Sequence, residues 1–262
     1  MPIDARGAPV TFNDVTVAEF LAIDFDSREM DKIVASLDGR PADAPFGYVV
    51  TANVDHIVKL NSKQAYSKDL VAAYSNALVR VCDSRVLSGL ARLRGVSLSV
   101  VPGSDLTERL VTDVLKPGDR VSIIGGEAAT VRILTKTRPG VQFVQHIPPM
   151  GLLTDRGGQQ RAARFIAENP ARFCLIALGC PQQEILADLV QREGRSHGLG
   201  LCVGASLDFL TGKQKRAPSW LQRARLEWLY RLLSNPRRLW RRYLLEGPRI
   251  LAIVMRWKRP IS

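Results

Sequence analysis

Short apolar runs, each ending near glycine, threonine or cysteine and followed by helical spacing, constrain this chain more than any other feature. This alternation is typical of β-α units in a mostly parallel sheet. The runs occupy 48–51, 121–126, 141–144, 173–179 and 199–204, and the helical stretches 55–80, 105–115, 127–137, 158–168 and 182–194. We therefore predict an α/β fold with a Rossmann-like, mostly parallel sheet flanked by helices.

Positive charge is concentrated at the C-terminal end. The 262 residues carry a formal net charge of +12. Residues 213–262 contain 14 Lys and Arg but two acidic residues, so this segment holds the whole excess and residues 1–212 are neutral. We predict an α/β core over 1–212 and a basic helical appendage over 213–262. Such an asymmetry indicates an anionic partner at the appendage.

The appendage contains a pattern typical of a basic amphipathic helix. Leu239 and Tyr243, and likewise Trp240 and Leu244, are four residues apart, with arginines on the neighbouring face. Helices of this kind lie in the membrane interface, with arginines at anionic headgroups. The alternative is nucleic-acid binding, which the segregated apolar face disfavours. The candidate membrane residues are Arg237, Trp240, Arg242, Tyr243 and Trp257.

Several sequence features bear on the compartment. The four cysteines show no CxxC spacing, which fits a reducing cytoplasm better than a disulfide framework or a zinc site. The first residues lack the pattern of a signal peptide. No stretch approaches the roughly 20 apolar residues that span a bilayer. We expect a cytoplasmic protein that binds a membrane surface peripherally.

Ligands of parallel sheets bind at the carboxyl ends of the strands, so the residues after each apolar run are candidates. Asp83 lies in a nearly apolar segment, as a general base does, although a cap or turn role explains it equally well. Gly125 and Gly126 could present backbone N–H groups to a phosphate or form a plain tight turn. Gln183 could hydrogen-bond a base or sugar edge and Asp208 ligand hydroxyls, with helix capping as the alternative.

The segment from Asp24 to Asp26 matches the DxD pattern by which many nucleotide-sugar enzymes hold a divalent cation. Because Asp26 stands three residues before Glu29 at the head of a helical run, we predict a helix cap there and no metal site. A GxGxxG fingerprint and a P-loop motif are both missing. A nicotinamide-dependent oxidoreductase and a P-loop nucleotidase are therefore disfavoured.

The candidate residues belong to motifs that occur in one order. The motifs are Thr51-x-Asn53, Asp83, Gly103-Ser104-Asp105-Leu106, Gly125-Gly126, Gly179-x-Pro181-x-Gln183-Glu184, Val203-Gly204-x-x-x-Asp208, Gly212, Arg216-Ala217-Pro218-x-Trp220, Leu226-Glu227-Trp228-Leu229-Tyr230-Arg231 and Pro236-Arg237-Arg238-x-x-Arg241-Arg242-Tyr243. From about residue 20 to about residue 245, the chain resembles the WecG/TagA/CpsF family, glycosyltransferase family 26.

The resemblance implies a metal-independent, inverting glycosyltransferase that needs no cofactor. It would move a hexose-type sugar from a UDP-sugar to an undecaprenyl-diphosphate-linked saccharide at the inner leaflet, in exopolysaccharide or cell-surface polysaccharide synthesis. The family also implies a homo-oligomer. The alternative from another class is a non-catalytic α/β protein that binds membranes or nucleic acid through its basic end.

The resemblance also assigns residues. Asp83 matches the candidate base, and Thr51 and Asn53 match residues that position the acceptor or the sugar. The candidate substrate-binding residues are Gly125, Gly126, Gln183, Glu184, Asp208, Arg231, Arg238 and Arg241. Two positions depart from the family pattern, because Ser84 replaces a glycine and Val100 replaces an arginine.

Overall fold

The computed structural model describes residues 16–214, 217, 218, 221 and 226–258, without the side chain of Arg238. Arg216 and Trp220 of the sequence motifs, and the side chain of the predicted substrate-binding Arg238, lie outside these described parts. The chain begins with an antiparallel hairpin of β1 (Val17–Phe20) and β2 (Ile23–Asp26). Its two turn residues, Leu21 and Ala22, both have positive φ, at 56° and 59°.

Six parallel strands form the central sheet, in the order β4-β3-β8-β7-β5-β6. The strands are β3 (Gly47–Ala52), β4 (Val79–Cys82), β5 (Arg120–Gly125), β6 (Gln142–His146), β7 (Phe173–Ala177) and β8 (Leu199–Cys202). The sheet is parallel throughout, and the predicted Rossmann-like α/β fold is confirmed. The sequence pattern did not separate β4 and the two hairpin strands from their surroundings, because charged residues interrupt their apolar positions.

Helices flank the sheet on both faces. Those of the core are α1 (Met30–Asp38), α2 (Val54–Leu60), α3 (Ser67–Asn76), α4 (Arg85–Leu93), α5 (Gly103–Arg109), α6 (Ala129–Thr137), α7 (Arg156–Glu168), α8 (Gln182–Glu193) and α9 (Ser206–Leu210). A π-helical turn, Leu110–Val114, continues α5. The appendage contributes α10 (Glu227–Ser234), α11 (Pro236–Trp240), a π-helical segment Arg241–Glu246 and α12 (Arg249–Arg256). Among the described residues, no helix is both long and apolar enough to cross a membrane.

Apolar side chains are buried on both faces of the sheet. Along β3, Tyr48 and Val50 join one core cluster with Leu186, whereas Val49 joins the other with Leu175. This division follows from the two-residue repeat of a strand, which sends successive side chains to opposite faces. Parallel strands covered on both sides read as continuous apolar runs, and this is why the sequence revealed them.

The sequence prediction of a helix cap at Asp26 is wrong. Asp26 is the last residue of β2 and pairs with Val17 of β1. Its buried carboxylate accepts from the Nε (3.0 Å) and Nη2 (2.6 Å) atoms of Arg28. The residue that precedes α1 is Glu29, whose side chain makes no capping bond. A bidentate guanidinium thus occupies the carboxylate that the DxD pattern would offer to a cation.

Candidate active site

A pocket of about 240 Å³ opens where the carboxyl ends of β3 and β4 meet the appendage. Its polar lining combines core residues with residues of α10 and the π-helical segment. These are Asn53, Asp55, Asp83, Ser84, Arg85, Glu227, Arg231, Arg242 and Tyr243. Four of the sequence motifs, two from the core and two from the appendage, therefore form one site.

Asn53 both begins a helix and contacts the proposed base. Its Oδ1 atom accepts from the backbone N–H groups of Asp55 (3.0 Å) and His56 (3.4 Å), so Asn53 is the N-cap of α2. Its side chain also lowers the pKa of the Asp83 carboxyl, as a donor to the carboxylate does. Because Oδ1 already receives the two backbone N–H groups, the amide nitrogen is left as the donor to the carboxylate.

Asp83 follows β4 directly and is held by backbone groups. Its own N–H donates to the carbonyl of Ala52 (2.8 Å), and its Oδ1 atom accepts from the N–H of Gly103 (2.9 Å). A Cβ on Gly103 would lie 3.1 Å from the Oγ1 atom of Thr51. Glycine therefore lets this backbone come close enough to reach the carboxylate.

Thr51 lies behind the pocket and does not line it. Its side chain is buried, and its Oγ1 atom donates to the carbonyl of Cys202 (3.2 Å) on the neighbouring strand β8. The structure thus gives Thr51 contacts with the framework and with Gly103, rather than with the open pocket.

The carboxyl group of Asp83 is the most perturbed acid in the pocket wall. Burial raises its pKa to about 6, against the opposing effects of the Gly103 N–H and the positive charge of Arg231. The carboxylate of Glu227 also raises this pKa. A base is most effective when its pKa lies near the working pH, so Asp83 is suited to accept a proton at neutral pH.

The two departures from the family pattern have local explanations. Ser84 is the N-cap of α4, where its Oγ atom accepts from the N–H of Leu87 (3.1 Å). Its φ of −142° is extended, so no glycine is required there. Val100 lines the pocket as an apolar residue. The cations in this pocket therefore come from the appendage and from Arg85.

Arg231 of α10 faces Asp83. Its Nη2 atom lies 2.6 Å from the Oε1 atom of Glu227, and its guanidinium lies over the ring of Phe209, 5.3 Å from the centroid. Burial would lower the pKa of Arg231, but the carboxylates of Glu227 and Asp83 outweigh it and raise that pKa. This predicted substrate-binding arginine is therefore charged and fixed at the pocket.

Arg242 and Tyr243 lie in the pocket, whereas the sequence prediction placed them on the membrane face. The Nε atom of Arg242 is 3.5 Å from the Oδ2 atom of Asp55, and its Nη2 atom is 3.5 Å from the Oδ1 atom of Asn53. The prediction assumed 3.6 residues per turn, but residues 241–246 form a π-helix with wider turns, which rotates the side chains. Arg241 is exposed and outside the pocket lining.

The sequence prediction missed Asp55. This buried carboxylate lies between the Nζ atom of Lys59 (2.8 Å) and the guanidinium of Arg242. Burial would raise its pKa, yet the charges of Arg242 and Lys59 hold the pKa below its usual value. An Asp two residues after the TxN motif, with a Lys four residues on, is a signal that could have revealed it.

Gln183 and Glu184, which the sequence analysis assigns to substrate binding, lie outside the lining of this pocket, and that assignment stays a prediction. The Oε1 atom of Gln183 accepts from the N–H groups of Gly204 (2.9 Å) and Gly179 (3.2 Å), which joins the loops after β8 and β7. Glu184 is fully buried, and its Oε1 atom accepts from Gln183 (2.8 Å). Gln183 therefore satisfies backbone N–H groups in the turns that follow the two strands, and Glu184 accepts from the Gln183 amide.

Gly125, Gly126 and Asp208 lie at the same edge of the sheet as the pocket, after the carboxyl ends of β5 and β8. Gly125 and Gly126 have φ values of 87° and 74°, and a Cβ on Gly125 would lie 2.6 Å from the carbonyl oxygen of Ala177. Asp208 is a partly buried residue of α9, and Gly126 lies close to the neighbouring Leu207. These three residues stay candidates for substrate binding, beside the pocket and not within its lining.

The structure places Arg242 in the pocket and Arg241 outside its lining, whereas the sequence analysis assigned Arg241 to the substrate and Arg242 to the membrane. This difference yields a direct test. We expect Arg242→Gln to lower kcat/KM for sugar transfer by about 10–100-fold, because a charged hydrogen-bonding group contributes about 1.5–3 kcal/mol. Arg241→Gln has the same change in charge one residue away and is the matched control, with an expected effect below about threefold for an exposed side chain. Steady-state kinetics of both variants would contradict this placement if Arg241→Gln had the larger effect.

A comparison with protein families gives a match over nearly the whole chain. The family model described as glycosyl transferase WecG/TagA/CpsF family matches residues 18–261. The match includes the hairpin, the sheet and the appendage helices described above.

Proposed function

The chain belongs to the WecG/TagA/CpsF family of glycosyl transferases, and on this premise we propose that it transfers a hexose-type sugar from a UDP-sugar to a polyprenyl-diphosphate-linked saccharide, with inversion at the anomeric carbon. Family membership makes it a glycosyltransferase and favours an enzyme over a non-catalytic binding protein. The observation that carries the finer proposal is the Asp83 carboxylate, with its raised pKa, facing Arg231 across one pocket.

The proposed reaction is a single displacement. The acceptor hydroxyl oxygen attacks the anomeric carbon, its proton passes to the Asp83 carboxylate, and the bond from the anomeric carbon to the diphosphate oxygen breaks. Asn53 and the N–H of Gly103 orient the carboxylate through their hydrogen bonds. Because one base serves one displacement, the configuration of the sugar inverts.

The departing UDP carries the electron pair and increases its negative charge. Arg231 and Arg242 line the pocket that holds Asp83, so their guanidinium groups are placed to stabilise this charge. Asp55 acts as a positioning residue, because it holds Arg242. We propose that these arginines take the part that a divalent cation plays in other nucleotide-sugar enzymes.

Transfer activity without a metal tests this proposal. A panel of UDP-sugars is incubated with a synthetic prenyl-diphosphate disaccharide, with and without EDTA. We expect one donor to give product at a rate that EDTA changes by less than about twofold, because the charge is stabilised by guanidinium groups. Strict dependence on Mg²⁺ would contradict the metal-independent mechanism, and the absence of product with every donor would contradict the proposed substrates.

The appendage also supports the proposed location at the inner membrane surface. Trp240, Leu244 and Leu245 are about half exposed, and Arg237 and Arg241 are exposed beside them along the chain. Exposed apolar side chains interleaved with arginines suit an anionic lipid surface. Self-association, and the division into a core and an appendage at residue 212, stay predictions.

Vesicle binding tests the location. Leu244→Glu/Leu245→Glu should weaken binding to anionic vesicles about tenfold or more, because two apolar side chains lose their transfer from water. Val71→Glu is the control, as an exposed apolar residue of α3. Sedimentation with vesicles, and a parallel titration with duplex DNA at matched salt, measure the effect. Tight DNA binding without vesicle binding would favour the nucleic-acid alternative.

A further inference from the structure

A second cavity, of about 480 Å³, lies between the β1-β2 turn, the end of α2 and helix α12. Its walls are mainly apolar, and none of the described residues that line it is acidic. Its lining includes Val58, Arg249, Ala252, Ile253, Arg256 and Trp257. We call this cavity the α2-α12 groove. Its volume falls in the range of ligand pockets, about 300–1,000 Å³.

Two arginines give the groove a strong positive charge. Arg249 and Arg256 are exposed and seven residues apart on α12, so they lie on one face of that helix, two turns apart. Neither has an ion-pair or hydrogen-bond partner among the described residues. Arginine pairs are well suited to bind diphosphate oxygens, because each guanidinium offers several donors.

The apolar wall beside these arginines is held by contacts with the core. The indole of Trp257 packs edge-on against the ring of Phe20, with centroids 5.0 Å apart, and the guanidinium of Arg94 donates to the Trp257 carbonyl (2.6 Å). Ile253 and Ala252 continue the apolar surface along α12. An anion without an apolar chain would leave this surface unused, so the lining fits an amphiphile with a charged head.

The groove and the active-site pocket share two helices. Asp55 of α2 and Ile250 of α12 line the pocket, while Val58 of α2 and Ile253 of α12 line the groove. From Asp55 to Asn61 at the end of α2 is about 9 Å, at 1.5 Å per residue. One or two sugar rings cover such a span.

We propose that the α2-α12 groove binds the diphosphate and the first isoprene units of the acceptor lipid. Arg249 and Arg256 would hold the diphosphate, Ile253 and Trp257 would contact the chain, and the attached saccharide would extend along α2 to place its hydroxyl at Asp83. This inference rests on the proposed function, since it assumes a prenyl-diphosphate acceptor. It assigns the acceptor's anionic linkage to a site separate from the one that stabilises the departing UDP.

Calorimetric titration of the full chain with farnesyl diphosphate tests the inference without any sugar transfer. We expect Arg249→Gln/Arg256→Gln to weaken binding at least tenfold. The matched control is Arg132→Gln/Arg164→Gln, which removes the same charge from exposed positions on α6 and α7 and should change the affinity less than twofold. As a second variant, Ala252→Phe fills the groove and should weaken farnesyl diphosphate but not inorganic diphosphate.

The outcomes separate this inference from the proposed function. Unchanged affinity in Arg249→Gln/Arg256→Gln, or inorganic diphosphate bound as tightly as farnesyl diphosphate, would overturn the groove as a lipid-diphosphate site. So would competition by phosphatidylglycerol vesicles that removes all farnesyl diphosphate binding, since the site would then be a general lipid surface. If farnesyl diphosphate binding depends on Arg249 and Arg256 but no UDP-sugar gives transfer, the proposed reaction is contradicted and the groove remains a lipid-diphosphate site.

Discussion

Asp83→Asn is expected to lower kcat for sugar transfer by about 10²–10⁴-fold, the range that a positioned general base contributes. Asparagine has nearly the shape of aspartate and can still accept the Gly103 N–H through its amide oxygen. It cannot accept the proton of the acceptor hydroxyl. The loss should therefore fall on kcat, while KM for both substrates changes little. Steady-state kinetics with the donor identified by the panel measure both constants.

Stability serves as the control for this variant. Because the pKa of Asp83 is raised from 3.8 to about 6 in the folded protein, the folded state binds this proton more tightly than the unfolded state. That contribution to stability is complete below pH 3.8 and is lost as the pH rises through about 6. At pH 8 the asparagine variant lacks the buried charge, so its Tm should equal or exceed that of the wild type. Full activity in a folded Asp83→Asn protein would exclude Asp83 as the base.

Arg231→Gln should lower kcat by about 10²–10³-fold, as loss of a donor that stabilises developing negative charge does. Arg231 faces Asp83 in the pocket and is fixed by Glu227 and by the ring of Phe209. Its removal takes away the ion-pair partner of Glu227 and the positive charge that lowers the pKa of Asp83. Arg231→Lys keeps the charge but loses the planar pair of donors, so its rate should fall between those of Arg231→Gln and the wild type.

Glu227→Gln separates the charge of Arg231 from the orientation that the Glu227 ion pair gives its guanidinium. This variant removes the ion pair that orients Arg231 but leaves the guanidinium in place. We expect a smaller loss of kcat than in Arg231→Gln. Equal losses would show that Arg231 acts only through its contact with Glu227.

Five of the six strands of the sheet were predictable because each coincides with a short apolar run, whereas β4 is interrupted by Arg80 and was not predicted as a strand. Asp83 and Asn53 were predictable because ligands of such sheets bind where strands end, and the structure brings the two side chains into hydrogen-bond contact. Asp26 was misread because β1 is partly exposed and pairs with β2 as a short hairpin, so the local pattern resembled a helix start.

In the appendage, helical periodicity did not predict which arginine lines the pocket. A spacing of four residues placed Arg242 on the membrane face, but the π-helical segment turns it towards Asp55. Gln183 has a hydrogen-bonding side chain after a strand, which is the pattern of a ligand contact. Its actual partners, Gly179 and Gly204, come together only through the pairing of β7 with β8. Contacts of this kind, between segments distant in sequence, cannot be predicted from the spacing of neighbouring residues.

The central claim is that Asp83 of the core and Arg231 of the appendage form one active site. The pH dependence of kcat/KM for the wild type and for Arg231→Gln tests it most directly. In the wild type we expect an acidic limb with an apparent pKa of about 6, above which the rate is constant. Because the positive charge of Arg231 lowers the pKa of Asp83, the limb should move to higher pH in Arg231→Gln. A limb at the same pH in both proteins would contradict the account.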